Sequence, residues 1–258
     1  MHPATELIER TSLPRHEAER LLVAATGWSR TDVVLAEAIP AGAIERYRAL
    51  VGRREAGEPL QYLEGDVPFG PATIAVDPRV LIPRPETEEM LELALQMAPA
   101  PHTVVDLCTG SGNLAIALAM LRPDARVVAT DISPDAAAAA SDNAAANGVA
   151  VEILVGDLFA PLPDDIRGQV DLLVANPPYL AAQELEEVPV DVAHEPPGAL
   201  VAGPVGDEVL ERIGASAADW LAPGGLVVCE ISEFGSHAVV CHFESVGGRI
   251  HRDLSGKD

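Results

Sequence analysis

The spacing of hydrophobic and polar residues changes twice along the chain and divides it into three parts. From Thr5 to Glu58, apolar residues such as Leu21, Leu22 and Val33 recur at the spacing of amphipathic helices. Proline and glycine residues interrupt this pattern, and such residues end helices. We therefore predict a small domain of several short helices at residues 1–58.

The second part, residues 59–83, contains short β-type runs between glycines and prolines. The runs are Gln61–Leu63 and Thr73–Val76. Short runs of this kind, bounded by turn-forming residues, are typical of a hairpin. We therefore expect a β-hairpin linker here.

From residue 84 onward, β-type apolar runs alternate with helical patterns. The predicted strands are Thr103–Leu107, Val127–Ile132, Val151–Val155, Val170–Ala175 and Leu226–Ile231. The predicted helices are residues 86–98, 113–121, 134–147, 206–221 and 236–246. This alternation predicts an α/β domain over residues 84–258 with a doubly wound parallel sheet, in which ligands bind at the carboxyl ends of the strands.

A glycine-rich turn follows the first predicted strand of the sheet. It comprises Cys108-Thr109-Gly110-Ser111-Gly112 and comes directly after a strand that contains Asp106. Glycines let a ligand approach the backbone, and the free N–H groups at the start of the next helix attract a negative or polar group. The turn predicts a nucleotide-like cofactor, and by itself it also fits a dinucleotide.

Two acidic residues lie at the ends of the next two predicted strands. Asp131 ends the second strand, where its carboxylate can accept hydrogen bonds from both ribose hydroxyls, with a helix cap as the alternative. Asp157 follows the third strand, where it can accept from an adenine amino group while Leu158 packs on the ring. A plain turn residue is the alternative for Asp157.

The segment Asn176-Pro177-Pro178-Tyr179, called the 176–179 loop below, ends the fourth predicted strand. Its two prolines stop the strand and make the loop stiff. The Asn176 side-chain oxygen and the Pro177 carbonyl can accept the hydrogens of an amide or amine nitrogen, and Tyr179 can lie against that flat group. This arrangement favours methyl transfer from a sulfonium to nitrogen, with Asn176, Pro177 and Tyr179 as catalytic residues. A purely structural turn is the alternative.

The amino-acid composition limits the molecules that this protein can be expected to bind. The chain of 258 residues has a formal charge of −23, which repels phosphate backbones and argues against direct nucleic-acid binding. The acidity fits either solubility or the steering of a basic protein partner. A charged N-terminus and the lack of long apolar runs predict a cytoplasmic protein without membrane contact. No metal is expected, since the cysteines and histidines lack metal-ligand spacing, and we expect a monomer.

The motifs resemble those of the HemK/PrmC family of N(5)-glutamine methyltransferases, which modify the glutamine of the Gly-Gly-Gln motif in peptide chain release factors. The 176–179 loop alone is shared with enzymes that methylate amino groups of DNA adenine. The resemblance covers nearly the whole chain and includes more specific segments, namely Glu58–Tyr62, Leu81–Glu88, Asp106–Gly112, Gly156–Phe159, His194–Pro196 and Ala199–Leu200.

The resemblance implies a Rossmann-like class I methyltransferase fold, S-adenosylmethionine as cofactor and a release factor as protein substrate bound by the helical domain. It implies that the glutamine lies against Asn176, Pro177, Pro178 and Tyr179. Arg84 and Glu86 would lie near the mouth of the site or form a salt bridge in the linker. The implied cofactor contacts are Asp106, Cys108, Thr109, Gly110, Ser111, Gly112, Asp131, Asp157, Leu158 and Asn176.

Three segments depart from the family's pattern. Val201–Asp207 is a looser version of a glycine-rich segment, and Ile231–Phe234 replaces a usual glycine and glutamine. Arg252–Asp258 resembles the start of a terminal hairpin whose final strand is missing. Loss of that strand from the family's seven-stranded sheet would expose two strand edges.

Several other functions compete with this interpretation. The same chemistry could act on another protein glutamine, such as one in a ribosomal protein, or on an exocyclic amine of a nucleic acid. A nicotinamide-dependent oxidoreductase would share the glycine turn but leaves the 176–179 loop unexplained. A non-catalytic protein-binding module is the third alternative, against which the presence of Asp106, Asp131 and Asn176 argues.

Overall fold

The computed structural model describes residues 3–231. Its contacts divide the chain into two units. The first comprises the residues up to Asp66 together with the segment Pro189–His194, and the second comprises the remaining residues.

The first unit is helical, as the apolar spacing predicts. Its core includes Leu21, Leu22 and Tyr47, which are at most 1% exposed. Local signals set the helix ends, because Gly27 adopts a left-handed φ of 69° and Ser29 forms a capping box. The helices are α1 (Pro3–Ile8), α2 (Arg15–Thr26), α3 (Arg30–Leu35), α4 (Ala41–Glu55) and α5 (Leu60–Glu64).

Helix α5 corrects the prediction for the start of the linker. Gln61–Leu63, predicted as a β-type run, lies inside this helix, so that prediction is wrong. Gly65 ends α5 with a φ of 95°, and Leu60, Tyr62 and Leu63 are buried. Five residues are too few to display a helical period, and packing outweighs the β preference of Tyr62.

A hairpin follows α5 and contains all but Val76 of the second run of the predicted linker. Its strands are β1 (Asp66–Phe69) and β2 (Ala72–Ala75). The turn between them passes through Gly70 with a φ of 51°, and Phe69 and Ile74 are buried.

A parallel sheet of five strands lies at the centre of the second unit. Along the sheet the strands follow the order β5-β4-β3-β6-β9. The strand order therefore reverses between β3 and β6, which is where open α/β sheets bind ligands. The strands are β3 (Thr103–Leu107), β4 (Arg126–Asp131), β5 (Glu152–Val155), β6 (Val170–Ala175) and β9 (Leu221–Cys229).

Helices connect these strands, and the predicted α/β class with a doubly wound parallel sheet is confirmed. The longer helices are α6 (Pro85–Met97), α7 (Asn113–Leu121), α8 (Pro134–Ala146) and α10 (Glu208–Trp220). Between β6 and α10 the chain also forms β7 (Leu180–Ala181), α9 (Pro197–Leu200) and β8 (Val201–Gly203). These short elements are absent from the sequence prediction because each is too brief to show a period.

The last predicted strand begins earlier than expected, at Leu221 rather than Leu226. The predicted helix at residues 236–246, the hairpin start at Arg252–Asp258 and most of Ile231–Phe234 lie outside the described residues. Within residues 3–231, no helix combines the length and the apolar character needed to cross a bilayer.

Candidate active site

The predicted site residues lie at or just beyond the carboxyl ends of neighbouring parallel strands. Leu107, the last residue of β3, is in register with Thr130 of β4 on one side and with Ala175 of β6 on the other. Ala175 is in turn in register with Cys229 of β9. The loops that leave these strands therefore lie next to one another at one edge of the sheet.

The glycine turn uses the left-handed backbone region three times. Cys108, Gly110 and Gly112 have φ values of 58°, 55° and 82°. A Cβ atom on Gly112 would lie 3.0 Å from Ile116 Cδ1 and 3.1 Å from Ala140 Cβ. Gly112 is thus needed for close packing of α7 and α8 behind the turn.

Asp106 is buried beneath this turn, with 1% exposure. Its Oδ2 accepts hydrogen bonds from Thr109 Oγ1 at 2.6 Å and from the Ala115 N–H at 3.2 Å. Its Oδ1 is buried and has no hydrogen-bond partner within residues 3–231. Burial raises the pKa of this carboxyl to about 7.

Asp131 connects the glycine turn to the loop after β4. Its Oδ2 accepts a hydrogen bond from the Gly110 N–H at 2.8 Å, and its Oδ1 accepts one from the Ser133 N–H at 2.9 Å. The cap of α8 is Ser133, whose hydroxyl accepts from the Ala136 N–H, so helix capping does not occupy Asp131. Burial raises the pKa of Asp131.

Leu158 and Asp157 lie in the loop after β5. Leu158 is buried, has a φ of 49°, and its carbonyl accepts a hydrogen bond from Thr130 Oγ1 at 2.9 Å. Asp157 accepts a hydrogen bond from Arg212 Nη2 of α10 at 2.5 Å. A ligand that reaches Asp157 must therefore share its carboxylate with Arg212.

Asn176 begins the 176–179 loop at the end of β6. Its Nδ2 donates a hydrogen bond to Thr87 Oγ1 at 3.1 Å, and Thr87 Oγ1 donates to Glu230 Oε2 at 2.7 Å. The Asn176 Oδ1 is buried and has no hydrogen-bond partner in the described part of the chain. A buried acceptor of this kind is costly unless a ligand satisfies it.

Tyr179 contacts Leu200 and the segment Val201–Asp207, which departs from the family's glycine-rich pattern. Its N–H donates to the Leu200 carbonyl at 3.2 Å. Gly206, with a φ of 103°, approaches so closely that a Cβ atom there would lie 2.7 Å from the Tyr179 carbonyl oxygen. Burial raises the pKa of the Tyr179 hydroxyl. Gly206 of this segment therefore packs directly against the backbone of the 176–179 loop.

Arg84 forms a salt bridge, and its partner is Glu195 rather than Glu86. The Arg84 guanidinium donates to Glu195 Oε1, and the Ile82 N–H donates to Glu195 Oε2 at 3.0 Å. Glu195 is 3% exposed. Its two hydrogen bonds hold Ile82 and Arg84, which directly precede α6, against Glu195.

Three polar residues near these loops have no role in the sequence analysis: Thr87, Glu230 and Arg212. Glu230 follows β9 as Asn176 follows β6, so the rule for the carboxyl ends of strands could have identified it. Thr87 lies inside the segment Leu81–Glu88 without any signal of its own. Nothing in the sequence connects Arg212 to Asp157.

The chemistry of this edge fits a cofactor with hydroxyl donors and a positive charge. Asp131 keeps lone pairs beyond its two backbone hydrogen bonds, and Gly110 has no Cβ atom in the space beside it, where no described atom lies within 4 Å. Asp106 and Asn176 each hold a buried oxygen without a partner in residues 3–231. Among the same residues, no group of three or more His, Cys, Asp or Glu side chains could hold a metal ion.

Two family models match the sequence. The methyltransferase small domain matches residues 87–195, and the PrmC N-terminal domain matches residues 2–65.

Several relatives match over nearly the full length, and all three described here are named release factor glutamine methyltransferase. The protein of Mycolicibacterium smegmatis is 41% identical, and the match covers 98% of this chain and 92% of the relative. The protein of Moorella thermoacetica is 41% identical, with 95% and 89% covered. That of Deinococcus radiodurans is 36% identical, with 99% and 93% covered.

Solved structures share the fold of the sheet domain. A T. thermophilus 16S rRNA methyltransferase gives a TM-score of 0.54 at 22% identity and covers 71% of this chain and 45% of its own. A methyltransferase from Pyrococcus furiosus gives a TM-score of 0.51 at 17% identity and covers 68% of this chain and 78% of its own. At these identities the likeness shows the fold alone, which is that of methyltransferases.

Proposed function

Because the chain belongs to the release factor glutamine methyltransferase family, we propose that it transfers a methyl group from S-adenosylmethionine to the side-chain amide nitrogen of a release factor glutamine. The resemblance to the HemK/PrmC family is confirmed by the matched N-terminal domain and by these relatives. The target is the glutamine of the Gly-Gly-Gln motif.

The buried Oδ1 of Asn176 is the observation that supports this function best. It lies at the end of β6 with no hydrogen-bond partner within residues 3–231. A glutamine amide offers two N–H donors, so Asn176 Oδ1 and the Pro177 carbonyl can accept one each. Those acceptors orient the nitrogen and favour the positive charge that grows on it during transfer.

The remaining residues of the 176–179 loop complete the substrate site. Pro177 and Pro178 restrict the backbone, so the acceptors stay in place before the substrate arrives. The Tyr179 ring lies against the flat amide and excludes water. When bound, S-adenosylmethionine supplies the electrophilic methyl group and a neutral thioether leaving group.

The other loops of this edge hold the cofactor. Asp131 accepts hydrogen bonds from the ribose hydroxyls, while the glycine turn Cys108–Gly112 and Asp106 bind the polar end of the molecule. Leu158 packs on the adenine ring, and Asp157 accepts from its amino group. Arg212 keeps Asp157 oriented for that contact.

The helical unit binds the protein substrate, and the enzyme acts as a cytoplasmic monomer without direct nucleic-acid contact. The formal charge of −23 supports a basic protein surface as partner and disfavours phosphate backbones. Three segments of the chain differ in hydrophobic pattern, namely residues 1–58, 59–83 and 84–258. We assign substrate binding to the first segment, connection to the second and catalysis to the third.

The test is incubation with isotope-labelled S-adenosylmethionine and a full-length release factor, followed by mass spectrometry of the Gly-Gly-Gln peptide. We expect a gain of one CH₂ group on that glutamine. A release factor with Glu in place of this Gln serves as the substrate control, and Asn176→Ala as the enzyme control. Confirmed cofactor binding without any modified glutamine would refute the proposed substrate.

A further inference from the structure

A single hydroxyl group connects the catalytic amide to a carboxylate. Thr87 Oγ1, on the first turn of α6, accepts a hydrogen bond from Asn176 Nδ2 at 3.1 Å and donates one to Glu230 Oε2 at 2.7 Å. Thr87 is 1% exposed, so water does not compete for these bonds.

The direction of each hydrogen bond follows from the donors available. A threonine hydroxyl has one proton, and an ionised carboxylate can only accept. Thr87 therefore donates to Glu230 and presents a lone pair to Asn176. Asn176 must therefore donate to this lone pair with its NH₂ group, so its Oδ1 points away from Thr87.

The opposite orientation of Asn176 would defeat the proposed reaction. With the amide reversed, its NH₂ group would face the NH₂ group of the substrate glutamine, and two donors cannot form a hydrogen bond. The Asn176 oxygen would then face Thr87, whose only proton is committed to Glu230. Both mismatches are avoided in the orientation that the structure shows.

The backbone holds the three side chains in this arrangement. Parallel pairing of β6 and β9 continues one step beyond β9, where the Glu230 N–H donates to the Ala175 carbonyl at 3.0 Å. Asn176 and Glu230 therefore leave the sheet side by side. Helix α6 contacts β9 and brings Thr87 between them.

We propose that Thr87 and Glu230 are positioning residues that hold the Asn176 amide with its oxygen directed to the substrate nitrogen. This inference rests on the proposed function, since it assigns a role within the same methyl transfer. Neither residue touches the reacting atoms. Their effect is transmitted through the orientation of Asn176.

Protonation of Glu230 allows the hydrogen bond between Glu230 and Thr87 to reverse its direction. A protonated Glu230 can donate to Thr87, which frees the Thr87 proton to face Asn176 and permits the reversed amide. Burial raises the pKa of Glu230, whereas the hydrogen bond from Thr87 lowers it; Glu86 also raises this pKa, and Arg84 lowers it. Tyr179 also faces this carboxylate. Turnover should therefore fall on the acid side of the pH profile as Glu230 takes up a proton.

The test uses the full chain with three variants: Thr87→Val, Thr87→Ser and Glu230→Gln. Valine keeps the shape without the hydroxyl, so we expect kcat for release factor methylation to fall by about tenfold or more. Serine keeps the hydroxyl and should retain most of the activity. The glutamine of Glu230→Gln can donate to Thr87, so this variant should have a lower kcat. It cannot take up a proton, so its turnover should fall less than that of the wild type as the pH is lowered.

Matched control variants and a binding measurement distinguish a loss of Asn176 positioning from a general loss of folded structure. Thr73→Val and Glu92→Gln change exposed residues and should leave kcat unchanged. The dissociation constant for S-adenosylhomocysteine should change by a smaller factor than kcat in Thr87→Val, because the Asn176 oxygen that Thr87 orients is assigned to the substrate nitrogen. If Thr87→Val does not fold, Glu230→Gln makes the same comparison.

Nuclear magnetic resonance of the Asn176 side-chain amide tests the orientation without turnover. Its pair of signals is identified by their loss in Asn176→Ala and should shift in Thr87→Val but not in Thr73→Val. An active wild type together with unchanged kcat in Thr87→Val overturns the inference. An inactive wild type overturns the proposed function instead, and the shift of the amide signals then decides whether the orientation depends on Thr87.

Discussion

The Asp131 carboxylate accepts a hydrogen bond from the backbone N–H of Gly110 at 2.8 Å. Asp131 is the last residue of β4, and Gly110 lies in the turn that follows the neighbouring strand β3. This bond fixes the glycine turn relative to the carboxylate that we assign to the ribose. One residue therefore both shapes the turn and binds the ligand.

Replacement of Asp131 by alanine should weaken cofactor binding by about tenfold or more. The variant loses its acceptors for the ribose hydroxyls and the bond that positions Gly110, and bonds to charged groups contribute about 1.5–3 kcal/mol each. Isothermal titration with S-adenosylhomocysteine measures the effect. Asp124→Ala, at an exposed position, is the matched control. An unchanged dissociation constant for Asp131→Ala would contradict its role.

Replacement of Asn176 by alanine should lower turnover by roughly 10² or more while the protein stays folded. The variant removes the oriented acceptor at the end of β6 but leaves both prolines of the loop. Steady-state kinetics with a release factor measure turnover, and circular dichroism checks the fold. Near-normal turnover would remove Asn176 from the catalytic residues.

Tyr179 should act through its ring rather than its hydroxyl. Burial raises the pKa of that hydroxyl, so it remains protonated at neutral pH. We expect Tyr179→Phe to retain most of the turnover and Tyr179→Ala to lose roughly 10² of it, because only alanine removes the flat surface against the amide. Equal losses in both variants would show that the hydroxyl is required.

Replacement of Gly206 by alanine should disturb the 176–179 loop. A Cβ atom there would lie 2.7 Å from the Tyr179 carbonyl oxygen, so Tyr179 must move and turnover should fall. Gly168→Ala is the control, because Gly168 has a φ of 71° and no neighbouring atom within 4 Å in the described part of the chain. Thermal and urea unfolding should show an extra loss of about 1–3 kcal/mol for Gly206→Ala. Equal stability of the two variants would refute the contact.

Asp106 should make the stability of the cofactor-free protein depend on pH. Burial raises its pKa from 3.8 to about 7, so the folded state holds a proton that the unfolded state releases between these values. The contribution of Asp106 is fully present below pH 3.8 and is lost as the pH rises through about 7. The slope is at most about 1.4 kcal/mol per pH unit.

Urea unfolding at several pH values measures this effect as the difference between wild type and Asp106→Asn. The variant cannot ionise, so its stability should fall less steeply with rising pH. The difference reports Asp106 together with its repulsion by Asp131, and it removes the repulsion among the other acidic groups, which both proteins share. Parallel pH profiles of the two proteins would contradict the raised pKa.

The sequence by itself determined the parallel sheet, the glycine turn and the stiff loop after β6. Each of these depends on a short stretch of chain. Apolar runs of four to six residues form β3 to β6, glycine supplies the positive φ at residues 110 and 112, and two prolines stop the ladder after Asn176. Signals of this kind need no knowledge of distant residues.

Tertiary structure alone decided the contacts that orient these groups. Thr87 and Asn176 are 89 residues apart in the chain, and Arg84 and Glu195 are 111 apart. Such pairs meet only after the order of the strands and the packing of α6 are set. Helix α5 is decided in the same way, because burial of its side chains outweighs a local pattern too short to specify a helix. Local periodicity thus specifies the elements, whereas their packing selects the polar partners that complete the site.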